Sequence, residues 1–107
     1  MVDKYSYRIV WSAEDEEFAG LCAEFPSLSW LAPSQDEAFQ GIRKLVADVI
    51  KDMQEQNEII PEPIAMQRFS GKFIVRVPPH VHRDLALAAQ EANISLNRYV
   101  SAKLAGA

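Results

Sequence analysis

Apolar and polar residues alternate at the start of the chain. Tyr5, Tyr7, Ile9 and Trp11 fall on one side of an extended segment and Ser6, Arg8, Val10 and Ser12 on the other, which is the period of a β-strand with one strongly apolar face. Ala13-Glu14-Asp15-Glu16-Glu17 predicts a polar turn, and Phe18 to Phe25 a second strand with Ala19, Leu21, Ala23 and Phe25 on one face. Pro26 ends that strand because proline has no N–H for the ladder. Ser27 to Leu31 predicts a short third strand. The period then changes: Ala38, Ile42, Leu45, Val46, Val49 and Met53 follow the three-four spacing of one helix face, with Gln40, Arg43, Lys44, Asp48, Lys51 and Asp52 covering the rest. Ser34 and Glu37 form a capping box at the start of this helix, and Asn57 with Pro61-Glu62-Pro63 stops it. Residues 1–63 therefore read as a small antiparallel sheet packed on one long helix.

The domain boundary belongs near residues 61 to 70, where Ile64 to Phe69 either adds a strand or joins a linker over 64–70. Beyond it the alternation returns. From Lys72 to Val77 one face carries Phe73, Val75 and Val77 and the other Lys72, Ile74 and Arg76, so an apolar face lies back to back with a basic one. Pro78-Pro79 stops this strand, and Pro79 suits the first turn of a helix whose apolar face is Val81, Leu85, Ala88 and Ala92. Asn93 tolerates the left-handed conformation needed to leave that helix, and Ser95 caps a second one with Leu96, Tyr99, Val100 and Leu104 on its apolar face. One strand and two short helices bury too little alone. Two copies with antiparallel strands and interlocked helices share a core, for which Phe73, Val75, Val77, Leu85, Leu96 and Val100 are the expected members. The predicted fold is α+β: sheet plus helix over 1–63, then a dimeric ribbon-helix-helix over 71–107.

Composition changes this picture in one respect. With 107 residues, 49% hydrophobic and 24% charged, the chain has the balance of a soluble globular protein, but its net charge of −4 is unevenly spread. Residues 1–63 hold 13 Asp and Glu against 5 Lys and Arg, a balance of −8, whereas residues 64–107 hold 2 against 6, a balance of +4. Two modules with partners of opposite charge are expected, since each surface steers its own association. The single cysteine, Cys22, excludes an internal disulfide framework and reads as a buried small hydrophobe in a reducing cytoplasm. Asp3, Lys4 and Arg8 interrupt any signal-peptide core, and no apolar run is long enough to span a bilayer, so no membrane association is expected.

A two-stranded ribbon fits the DNA major groove. Arg76 has the forked donor set that reads guanine, Lys72 reaches a base edge or a phosphate, and Ile74, flanked by two basic residues, either meets a thymine methyl or faces solvent or another part of the protein. The helix start at Ser95, with free backbone amides at Leu96 and Asn97, is a candidate phosphate clamp. Catalysis is not expected. Glu14, Asp15, Glu16 and Glu17 sit in a turn, Asp36, Asp48 and Asp52 lack an inward carboxylate on a strand, and His80 and His82 point in different directions. With no glycine-rich phosphate loop and no nucleophile-base pair, neither a metal nor another cofactor is expected.

Glu24-Phe25-Pro26 after a strand, Ser34-Gln35-Asp36-Glu37-Ala38 opening a long helix, Pro61-Glu62-Pro63, and Ser70-Gly71-Lys72-Phe73-Ile74-Val75-Arg76-Val77-Pro78 with Ser95-Leu96-Asn97-Arg98-Tyr99 behind together resemble the HicB antitoxins that end in a ribbon-helix-helix. In place of that family's usual glycine-cysteine turn after the second strand stands Ser27-Leu28-Ser29-Trp30-Leu31. The resemblance implies a partial ribonuclease-H-like front domain that neutralises a small basic RNA-cleaving toxin of the HicA kind, and a back domain that represses its own operon by binding operator DNA as a homodimer or larger oligomer. Glu14, Asp15, Glu16, Glu17, Glu24 and Trp30 are then the expected partner-facing residues. The alternative is a stand-alone regulator whose front domain binds a small molecule or only oligomerises.

Overall fold

A computed structural model describes residues 1–106. After a 3-10 turn at Val2–Lys4 come β1 (Tyr7–Ser12), β2 (Glu17–Cys22), β3 (Ser29–Ala32) and α1 (Gln35–Glu55); a 3-10 turn at Ile64–Met66 precedes α2 (Pro79–Glu91) and α3 (Leu96–Ala105). The chain divides into two compact units, Met1–Phe69 and a second beginning at Ser70.

In the front unit the three strands pair antiparallel in chain order, with Ser12 opposite Glu17, Ile9 opposite Gly20, and Gly20 opposite Trp30. The hairpin turn closes through Ser12, whose hydroxyl donates to the Asp15 carboxylate at 2.8 Å, and Glu16 takes the left-handed conformation at φ 53°. Helix α1 packs on one face of this sheet. Gly20 sets how closely it approaches, because a Cβ there would lie 2.5 Å from the Ala38 carbonyl oxygen. The core gathers Tyr5, Cys22 and Phe25 against Ile42, Val46 and Ile50 of α1.

That packing decides a point left open by alternation alone. Gly20 and buried Cys22 face the helix, so Ala19 and Leu21 point to the opposite side of the sheet. The second strand also stops at Cys22 rather than Phe25, so Ala23 is exposed while Phe25 folds back into the core after the chain has turned. Both faces of β2 are apolar, and only contact with α1 distinguishes them.

Local signals act where they were expected. Ser34 accepts the Glu37 amide at 3.2 Å to open α1, and at its end the Asn57 amide reaches Gln54 and the Glu58 amide reaches Met53, with Asn57 left-handed at φ 56°. The same closure recurs after α2: Asn93 at φ 59° donates to Gln90, and Ile94 donates to Ala89. Segment 64–69 adds no strand. It opens with the 3-10 turn at Ile64–Met66 and is counted with the front unit, to which Ile60, packed on the core, and fully buried Pro63 also belong.

In the back unit α2 and α3 pack on one another, while residues 72–77 form no hydrogen-bonded strand within the single chain. The physical reason is the absence of a second strand for them to pair with in this unit.

Candidate nucleic-acid interface and partner surface

Segment 72–77 keeps its two-sided pattern without a ladder. Val75 and Val77 join Leu85, Leu96, Val100 and Leu104 around a concavity of about 740 Å³, and Phe73 and Val75 join Leu96, Val100 and Leu104 around a second of about 670 Å³. Every expected dimer-core residue therefore lines one of two adjoining hollows, and Val75, Leu96 and Val100 line both. Leu104, 61% exposed, belongs with them; its position four residues after Val100 on the apolar face of α3 was the signal that could have placed it in the core list. Ile74, by contrast, borders neither hollow and is 92% exposed.

Lys72 and Arg76 stand on either side of Ile74 in sequence and lie at the rims of these hollows. The approach to Lys72 is shaped by Gly71, at φ 85°, and by the Ser70 hydroxyl, which accepts the Lys72 amide at 3.1 Å. A left-handed residue at 71 favours glycine, so the chain enters segment 72–77 through a turn that side chains disfavour. At the start of α3 the Ser95 hydroxyl accepts the Arg98 amide at 3.0 Å. That cap leaves the Leu96 and Asn97 amides, which have no acceptor one turn earlier in the helix, pointing outward with the positive end of the helix dipole.

In the front unit the six expected partner-facing residues separate into three environments. Glu14, Asp15 and Glu16 are exposed in the hairpin turn, and Glu17 opens β2. Trp30 is 44% exposed, its indole resting on Gly41 of α1 where any side chain would collide with it. Trp11, 55% exposed and edge-on to Phe18 at 5.0 Å, is the penultimate residue of β1, near the acidic turn, on the α1 side of the sheet.

Glu24 faces inward. One of its carboxylate oxygens accepts the Ser6 amide and the other the Ile64 amide, both at 2.9 Å, and the Ser6 hydroxyl and Cys22 thiol lie within 3.2 and 3.5 Å. Tyr5 adds a second tie to the same segment by donating to the Pro61 carbonyl at 2.6 Å. Glu24 thus clasps segment 61–64 to the end of the sheet, a role different from the surface contact expected of it. Burial alone would raise its pKa, but the Ile64 and Ser6 amides outweigh burial and hold it below the ordinary carboxylate value. Burial drives the neighbouring groups the other way: the Cys22 thiol is raised, and the Tyr7 phenol is pushed up to about 12 by desolvation, with the nearby Cys22 adding to it.

Among the described residues no three His, Cys, Asp or Glu side chains converge as a metal cluster, and no helix is long and apolar enough to cross a membrane. Residues 55–104 match the model of the HicB family; the matched span runs from the end of α1 almost to the end of α3. No curated protein and no solved structure matches the chain.

Proposed function

We propose that this chain is the antitoxin of a toxin-antitoxin pair: its back unit represses its own operon as a ribbon-helix-helix dimer on operator DNA, and its acidic front unit neutralises a small basic RNA-cleaving toxin. The observation that carries the DNA arm is the unpaired segment 72–77. Its apolar side chains border hollows lined by α2 and α3, while Ile74, between two basic residues, is turned out to solvent. A second copy supplies both the missing ladder and the missing apolar contacts. Pairing the strands brings Lys72, Ile74 and Arg76 of both copies onto one basic ribbon face suited to the major groove, with the α3 starts at Ser95 beside the phosphates.

The toxin arm rests on the family match and on the −8 balance of residues 1–63, which attracts a cationic protein. The proposed role is stoichiometric capture rather than catalysis, and requires no cofactor. A second reading, a stand-alone regulator, is favoured by the stretch Ser27-Leu28-Ser29-Trp30-Leu31, which departs from the turn that family resemblance implies. Co-purification of the tagged full-length chain from its native host, with identification of bound protein and bound DNA, separates the two. Operator DNA plus a small basic ribonuclease supports the antitoxin; operator DNA with no such protein supports the regulator.

A further inference from the structure

The sheet of the front unit has a second face that α1 does not cover. Because Gly20 meets Ala38 of α1 and Trp30 lies on Gly41, their strand neighbours Ala19 and Leu31 point to the other side. The register sets Val10, Ala19 and Leu31 in one row across all three strands, with Arg8, Leu21 and Ser29 in the row beside it. Leu21 and Arg8 also line a hollow of about 460 Å³ at the end of the sheet, which reaches round to Tyr7 and Cys22. The exposed side of a small antiparallel sheet is ordinarily polar. Here its middle is aliphatic, and Leu31 is 44% exposed.

We infer that this open sheet face is the seat of the front unit's protein partner, and that the partner presents an apolar patch flanked at one end by cationic groups. The inference rests on the antitoxin reading and gives its toxin arm a location. Charge selects the occupant. In the row beyond Val10–Ala19–Leu31 stand Ser12 and Glu17, and the hairpin they flank carries Glu14, Asp15 and Glu16, so the aliphatic centre is bordered at that end by acidic groups. A second copy of this chain would bring a second acidic hairpin, on a unit of the same −8 balance, against the first, with only Arg8 among the rows of this face to offset it. A basic protein meets the same border with the opposite sign, which favours its approach and orientation, while the aliphatic row supplies the dry centre.

The test uses the full-length chain and, as probe, the purified small basic protein that the antitoxin reading expects to be encoded beside its gene; a gene with no such neighbour overturns the antitoxin reading and the location together. Binding is measured for the wild type, Leu31→Lys, Ala19→Lys and Leu31→Met, with operator binding and thermal unfolding as controls of fold. Leu31→Lys and Ala19→Lys should weaken capture of the probe at least about tenfold, since each puts a like charge into the contact centre. Leu31→Met should stay within about twofold, as should operator binding by all variants. Capture by the wild type that both lysine variants leave unchanged overturns the location while sparing the antitoxin reading; a wild type that captures nothing overturns both. If the lysine variants instead lower the mass of the unliganded protein in light scattering, the face belongs to a second copy and the inference fails.

Discussion

The two units of this chain dispose of their apolar side chains in opposite ways. In residues 1–69 Ile42 and Val46 are completely buried, Tyr5, Cys22, Phe25 and Ile50 close around them, and Glu24 fastens the exiting chain to the sheet. In the back unit Ala89 is the sole buried apolar residue among those described, while Phe73, Val75 and Leu104 stay well over half exposed. Sheet and long helix give the front unit two layers within one chain. Two short helices give the back unit one layer and leave its apolar hollows open, which is why a second copy is proposed to fill them. If the proposed dimer forms, front-unit stability is a property of the monomer and back-unit stability a property of the dimer, dependent on protein concentration.

The severest challenge to this contrast is Val75→Asp. An unpaired charge at the shared centre should abolish dimerisation and weaken operator binding at least about a hundredfold, while the front unit keeps its own unfolding transition. Light scattering, DNA titration and circular dichroism read the three effects, and a variant that remains dimeric would refute the shared core.

Ile42→Ala probes the other side. Removing a fully buried side chain beneath Gly20 should cost the front unit about 2–5 kcal/mol in a denaturant melt, independent of protein concentration, and leave dimer affinity unchanged. A concentration-dependent loss would mean that the front core is not self-contained.

Arg76→Ala sharpens the contrast at the DNA. Loss of a base contact should cost about 1–3 kcal/mol on the operator and relax the preference at one base position. Equal weakening on operator and scrambled DNA would place Arg76 on phosphate, and no change on either would turn it away from DNA.

The smallest effect belongs to the clasp. Glu24→Gln leaves one acceptor oxygen for two backbone amides, so one of Ser6 and Ile64 loses its partner. Because the folded pKa of Glu24 is depressed, its contribution is present above the ordinary carboxylate value and disappears as pH falls through the folded pKa. The gap in melting temperature between wild type and Glu24→Gln should be widest near neutral pH and should shrink as pH falls below the ordinary carboxylate value. A gap that does not change with pH would show that the carboxylate charge is irrelevant to the clasp.

Helix α1, the caps at Ser34 and Ser95, the left-handed exits at Asn57 and Asn93 and the entry at Pro79 were all readable in the chain, because each is settled within one or two turns of backbone. Less was readable wherever the deciding contact is distant. Ala19 and Leu21 looked as suitable for the core as Phe18 and Cys22, and the approach of Ala38 to Gly20 made the choice. Glu24 looked like one more surface carboxylate of an acidic domain, whereas its partner Ile64 lies 40 residues away.

From its own pattern the chain determined the order of its three strands and three helices, the split of charge between its halves, and the alternation of apolar and basic positions over 72–77, since periodicity and capping are local properties of the backbone; the ladder expected over 72–77 is not formed within one chain. The tertiary structure alone decided which side of the sheet α1 covers, which aliphatic row is thereby left open, that Glu24 holds segment 61–64, and that the apolar residues of segment 72–77 border hollows lined by α2 and α3. Those outcomes depend on which surfaces exclude water from each other, and no periodicity along a single segment encodes that.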